Sequence, residues 1–129
     1  PTSSLYYSTN EGYSNFWSPP LTQLVNLFKQ QGRKLRYFGC IATEFHLCLI
    51  KGGFYFYPTT KSKPHGNLRL MFEANPLAFL AKQAGGIATD GQQDVLNIIP
   101  ESLHQQTPFF VGSPADITLL KSHLESPSQ

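Results

Sequence analysis

The stretch Gly66 to Gly86, GNLRLMFEANPLAFLAKQAGG, constrains the chain most, because strand, helix and turn signals and an isolated carboxylate fall within twenty-one residues. Leu68, Leu70 and Phe72 alternate with Arg69 and Met71, the period of two expected of a strand with unlike faces. Glu73 ends that run. Asn75 is placed as an N-cap, Pro76 sits where a missing amide hydrogen costs nothing, and Gly85-Gly86 offers a left-handed stop. Between them Leu77, Leu80, Ala81 and Ala84 recur at helical spacing and predict one face buried against a sheet. A carboxylate at such a strand-to-helix junction lies where open α/β sheets place their ligands.

The remaining segments repeat this alternation. Leu5 to Ser8 reads as a buried strand running into the polar turn Asn10-Glu11-Gly12. Ser18-Pro19 starts a helix whose stripe Leu21, Leu24, Val25 and Phe28 stops near Gly32. Cys40 to Lys51 predicts a further helix, and Phe54 to Tyr57 a strand ended by Pro58. Ile87 to Thr89 is expected as a strand, Asp90-Gly91 as a turn, Val95 to Ile99 as an extended run and Pro108 to Val111 as a last buried strand. Ser113-Pro114 caps a final helix with Asp116 in its first turn and Ile117, Leu120 and Leu124 facing inward. Residues 125 to 129 read as a frayed tail. Together these predict a single domain over residues 1–129, a layered α/β/α arrangement with a mixed, mainly parallel sheet.

With 129 residues, 40% of them hydrophobic, the chain can build one core without disulfide staples. No apolar run approaches the roughly 20 residues that cross a bilayer, and the start lacks a charged-then-apolar signal segment, so the expected location is cytoplasmic, without a membrane partner. Cys40 and Cys48 are the only cysteines. On one helix they would stand about 12 Å apart, too far to bond, which fits reduced thiols. The chain begins at Pro1 and has its only methionine at Met71, so it reads as a fragment.

The net charge of +2 hides an uneven distribution. Lys29, Arg33, Lys34, Arg36, Lys51, Lys61, Lys63 and Arg69 face one acid, Glu44, in the middle third, which reads either as a surface built to meet an anion or as a solvated basic face. Lys29, Arg33 and Lys34 are also favourably placed against the dipole at the first helix's C-terminus. Nucleic acid is not the expected partner, since the aromatics of this third occupy core strands rather than a stacking module. The histidines show no ligand spacing, so neither a zinc site nor a catalytic histidine is assigned.

The pattern as a whole resembles class I fructose-1,6-bisphosphatase. Asn10-Glu11-Gly12-Tyr13, Arg36-Tyr37-Phe38-Gly39, Gly52-Gly53 through Tyr57-Pro58, and Leu68-Arg69-Leu70 through Glu73-Ala74-Asn75-Pro76 occur in that family's order and spacing. Ala84-Gly85-Gly86, Ile99-Pro100, Leu103-His104-Gln105 and Val111-Gly112-Ser113-Pro114 continue the match. Only the family's C-terminal half is covered. The resemblance implies a Mg²⁺-dependent phosphatase acting on a sugar bisphosphate, usually tetrameric, whose other metal ligands come from its own N-terminal half. By position, Glu73 matches a metal ligand, and Asn10, Glu11, Gly12, Tyr13, Tyr37 and Tyr57 fall in the segments that surround the sugar 6-phosphate. Arg36 matches an arginine that reaches the 6-phosphate of a neighbouring subunit. Arg69 lies in the segment that contacts substrate near the metals, and Ile41 stands where methionine or leucine touches the sugar. Asn67 replaces the family's usual lysine and brings no charge to the phosphate. Cys40 and Glu44 replace the usual serine and aspartate, milder changes.

The chemistry of the residues is consistent with dependence on a missing half. Phosphate-ester hydrolysis with a hard cation needs several oxygen ligands held together. None of the eight acids pairs with another in a ligand-like pattern, so the fragment is expected to be inactive alone. A simpler reading of Glu73 is a surface carboxylate favoured by a helix dipole; for Tyr13, Tyr37 and Tyr57 it is core tyrosines with wet hydroxyls. The alternatives to the fructose enzyme are a sedoheptulose 1,7-bisphosphatase, for which Asn67 leaves room, and a non-catalytic phosphosugar-binding or oligomerisation module.

Overall fold

The computed structural model describes residues 6–12, 17–37, 45, 46, 48, 52–58, 68–102 and 105–125. The helix expected over Cys40 to Lys51 lies largely outside this set, as do Tyr13, Ile41, Asn67 and the tail beyond Glu125.

The first strand, β1 (Tyr6–Ser8), precedes helix α1 (Pro19–Gln30) and the short strand β2 (Lys34–Leu35). Strands β3 (Phe54–Tyr57) and β4 (Leu68–Arg69) follow. A π-helical turn, Leu70–Ala74, then runs into α2 (Asn75–Gln83). Strands β5 (Ile87–Thr89), β6 (Gln106–Thr107) and β7 (Phe109–Gly112) lead to α3 (Pro114–Glu125). Five strands form one sheet in the order β2-β1-β3-β7-β5. β2, β1 and β3 are mutually parallel, and β7 opposes both β3 and β5, so four strands run one way and β7 alone runs the other. This is the mixed, mainly parallel sheet expected.

Alternation along the strands divides the core into two layers. Phe54 and Phe56 of β3 and Phe110 of β7 join Tyr7, the α1 stripe of Leu21, Leu24, Val25 and Phe28, and Ile117 and Leu120 of α3. Tyr55, Phe109 and Val111 point the other way, to Ala78 and Ala81 of α2, Ala74 and Phe45. Since successive strand side chains face opposite sides, a run such as Phe54 to Tyr57 can be apolar throughout only when both faces are covered. Each such Phe removed from water contributes roughly 2 kcal/mol. Gly112 is required by this packing, because a Cβ there would lie 2.9 Å from the Phe54 ring.

The stretch around Glu73 differs from expectation. The strand stops at Arg69, and it belongs not to the main sheet but to a two-stranded antiparallel ribbon with β6. From Leu70 the backbone is helical, and Asn75, with φ −61° and ψ −49°, is inside the helix rather than its cap. Its N–H bonds back to the Leu70 carbonyl. Burial overrides the local cap: Leu70, Ala74, Ala78 and Ala81 form the buried stripe, which a strand through Phe72 would break. Pro76, with no N–H to place, tolerates the change from i−5 to i−4 bonding at this point. Leu80 and Ala84, expected to face inward, are exposed, while Leu77 is partly buried. Gly85, at φ +86°, makes the left-handed stop. The extended run expected over Val95 to Ile99 is instead a 3₁₀ turn, Val95–Asn97, because the Asp94 carboxylate accepts the Leu96 N–H at 2.9 Å and caps it.

Two contacts not anticipated fix the helices. Arg33 donates to both carboxylate oxygens of Asp116, at 2.8 and 3.0 Å, with the two side chains only 11% and 6% exposed. The charge read as a helix-dipole partner is therefore a buried bridge from the end of α1 to the first turn of α3. The Cys48 thiol donates to the Gly53 carbonyl at 3.3 Å, and burial, aided by the charge of Asp116, pushes its pKa up to about 11. A thiol held protonated by folding stabilises the native state fully below about pH 9, and that contribution is lost as the pH rises towards 11. We expect on the order of 2–3 kcal/mol of stability to disappear across this interval, with Tyr7 adding a loss of the same sign from about pH 10. Guanidinium unfolding at about pH 8 and pH 11 checks this; Cys48→Ala should flatten the profile between those values, and an unchanged slope would exclude the thiol as its source.

Candidate active site

The parallel strands place most of the expected substrate residues along one edge. Because β2, β1 and β3 run in the same direction as neighbours, their C-terminal ends lie side by side. Arg36 and Tyr37 follow β2, Asn10, Glu11 and Gly12 follow β1, and Tyr57 is the last residue of β3. Outside the carboxyl ends of strands is where sheets of this kind bind ligands.

At the end of β1 the Asn10 side chain accepts the Gly12 N–H at 3.0 Å, which folds the chain into a compact turn. The Glu11 carboxylate accepts the Tyr7 hydroxyl at 2.9 Å and pairs with Lys29 at 3.4 Å. Burial of Tyr7, then this hydrogen bond and the charge of Glu11, raise the phenol well above its ordinary pKa, so Tyr7 stays a donor at all physiological pH. Glu11 is thus the anchor of the turn, neutralised by Lys29. The Tyr57 ring packs edge-on against Tyr55, with centroids 5.2 Å apart, and the residue is half-buried.

The cations of the middle third divide by partner. Lys29 is held by Glu11 and Arg33 by Asp116. Lys34 and Arg69 are exposed. The Arg36 guanidinium lies over the Tyr6 ring, 4.3 Å from its centroid, and has no acidic partner among the described residues. Among the described residues, Arg36 is therefore the half-buried cation at this edge left to meet an anion. The pairing of Tyr6 with Arg36, and the Tyr7–Glu11–Lys29 group, were not expected from the sequence. The neighbouring tyrosines of β1, which must face opposite sides, are the one signal that pointed to them.

Glu73 and Arg69 lie apart from this edge in chain order and in sheet, on β4 and the π-helical turn. One Glu73 carboxylate oxygen accepts the Arg69 N–H at 3.0 Å, and the side chain is half-buried. Its donor type suits a hard cation, but one carboxylate cannot hold one, and no three histidine, cysteine or acidic side chains come together among the described residues. A cleft of about 1120 Å³ opens elsewhere, lined in part by Asp90, Glu101, Gln105 and Lys121, and includes none of the expected site residues. Two acids against one lysine give it the wrong sign for a phosphate.

A family model described as fructose-1-6-bisphosphatase, C-terminal domain, matches residues 1–125. The chain belongs to this family. It is 49% identical over 114 residues to the fructose-1,6-bisphosphatase class 1 of Synechococcus sp. (strain JA-3-3Ab), covering 88% of this chain and 34% of that protein. The same named enzyme of Thermosynechococcus vestitus is 41% identical over all of this chain and 38% of its own length, and that of Oleidesulfovibrio alaskensis 43% over 95% and 39%. The chain spans somewhat over a third of the length of the curated relatives it matches. No helix among the described residues is long and apolar enough to cross a membrane.

Proposed function

We propose that this chain is the substrate-binding C-terminal part of a metal-dependent fructose-1,6-bisphosphatase, which removes the 1-phosphate of fructose 1,6-bisphosphate, a step of gluconeogenesis. The convergence of Asn10–Gly12, Tyr37 and Tyr57 on the carboxyl ends of three adjacent parallel strands carries the reading, with Arg36, at the same edge, serving the corresponding site of a neighbouring subunit. There the Asn10 and Tyr57 side chains and the Arg36 guanidinium are of the donor types that meet a phosphate's oxygens. The shared name of the relatives favours the fructose substrate over sedoheptulose 1,7-bisphosphate and over a non-catalytic module.

Glu73 would be this chain's ligand to the divalent cation, Mg²⁺ in this proposal, which activates water and stabilises the leaving oxygen when bound. The Arg69 N–H fixes the carboxylate's orientation. The remaining ligands belong to the enzyme's own N-terminal half. Support for that partner lies beside Glu73, where Met71, Phe72, Phe79 and Leu80 are each between 42% and 56% exposed, an apolar surface of the kind that marks an interface. A homo-oligomer, a tetramer in the full-length protein, is part of the same reading, since Arg36 acting on a neighbouring subunit requires at least a dimer. So is a cytoplasmic location, which the reduced Cys48 thiol favours.

In the full-length protein, Arg36→Ala should raise KM for the bisphosphate about tenfold to a hundredfold, the cost of one charge-assisted contact. Lys34→Ala, two residues away and exposed, should change it less than about twofold. Equal effects in steady-state kinetics would show general electrostatic attraction rather than a phosphate contact at Arg36.

A further inference from the structure

Arg36 is held at both ends. Its N–H donates to the Tyr7 carbonyl at 3.0 Å, which fixes the backbone just beyond edge strand β2. Its guanidinium carbon lies 4.3 Å from the centroid of the Tyr6 ring on the neighbouring strand. Tyr6 is in register with Lys34, so Tyr6 and Arg36 share one face of the sheet, opposite the face where Tyr7 packs against α1. Arg33 offers the contrast, since its ring contact with Phe28 accompanies three committed donor contacts, two to Asp116 and one to Gln31.

A guanidinium laid over an aromatic face is attracted by the ring's electrons without spending a donor, because its N–H groups lie in its own plane. Its long side chain then loses little further freedom when an anion arrives. We propose that Tyr6 is a positioning residue for Arg36, its ring holding the guanidinium at the sheet edge so that the in-plane donors meet the sugar's 6-phosphate. This rests on the reading of Arg36 as a phosphate contact. Tyr6 itself touches no substrate, and its ring rather than its hydroxyl does the work.

The test is binding of fructose 6-phosphate by calorimetry, with kcat and KM for the bisphosphate, on the full-length protein and its Tyr6→Phe, Tyr6→Ile, Arg36→Ala and Tyr6→Ile/Arg36→Ala variants. Isoleucine suits a strand, so β1 should still form. Tyr6→Ile is expected to weaken binding about fivefold and to raise KM in proportion with kcat unchanged. Tyr6→Phe should bind as the parent does, and Tyr6→Ile should cost nothing further once Arg36 is alanine. Three results would overturn the inference while leaving Arg36 in place: parental affinity in Tyr6→Ile, the same fivefold loss in the Arg36→Ala background, or a Tyr6→Phe variant as weak as Tyr6→Ile. Parental affinity in Arg36→Ala would instead remove the phosphate role of Arg36, and the inference with it.

Discussion

Glu73→Gln in the full-length protein is expected to lower metal-dependent turnover a hundredfold or more while leaving the thermal unfolding temperature close to the parent's. A direct ligand should matter at least as much as the groups that merely orient ligands, whose loss typically costs 10- to 100-fold. The structural role of Glu73 is separable from that loss. Its carboxylate accepts one backbone bond, from Arg69, and the oxygen of a glutamine amide can accept the same bond. The turn from Leu70 to Ala74 should therefore form as before. What the amide lacks is the negative charge and the second oxygen that a hard cation requires. Raising the Mg²⁺ concentration should recover part of the lost rate, as expected of weakened metal affinity. Near-parental turnover at low Mg²⁺ would take Glu73 out of the metal site, and a collapse of thermal stability would mean that its structural bond dominates.

The elements readable from the sequence are those whose burial is decided locally. In α1 the stripe Leu21, Leu24, Val25 and Phe28 has one consistent period, begins after Ser18-Pro19, and is the buried face observed. In β3 and β7 continuous aromatic runs could be satisfied only by a sheet covered on both sides, and both layers are present. The segment from Leu68 to Asn75 is different, because two readings of the same residues compete there. Leu68, Leu70 and Phe72 alternate as a strand, whereas Leu70, Ala74, Ala78 and Ala81 align as a helix. A period-two match over five residues says nothing about which alternative buries more, and the helical stripe wins through contacts with β5 and with the more distant β7. Strand β6 was illegible for a related reason: two residues long, it exists only as a partner for β4.

The candidate site was legible only as a set of residues. No periodicity brings Asn10, Arg36 and Tyr57 together; parallel pairing of three strands does, and pairing order is not written in any one segment. The resemblance supplied which residues to watch, and the register supplied their proximity. The state of the charges was not readable at all. Ten basic residues against eight acidic ones describe a nearly balanced chain, but Lys29 and Arg33 are committed to Glu11 and Asp116. The apparent basic surface therefore shrinks, and Arg36 stands out only once those partners are known.

That commitment makes Arg33 a residue whose loss should strongly damage the fold. Arg33→Ala leaves the Asp116 carboxylate, 4% exposed, without the cation that offsets its desolvation, and breaking a buried pair from one side costs about 3–5 kcal/mol. Asp116→Ala strands the guanidinium instead, with a similar cost. The two effects should not add: the double variant should be less destabilised than the sum of the single ones by more than about 1 kcal/mol, because once both charges are gone no uncompensated ion remains. Replacement of the pair by apolar side chains of similar volume, Arg33→Met with Asp116→Leu, should recover much of the stability, since Phe28 beneath the guanidinium already provides an apolar setting. Urea unfolding of the four variants measures each term. Strict additivity would mean that α1 and α3 are joined by their packing alone, and that the bridge acts only at the surface. The expected non-additivity would place Arg33 among the residues that hold the layer beneath β1 and β3, and so the strand ends on which the proposed phosphate-binding groups stand.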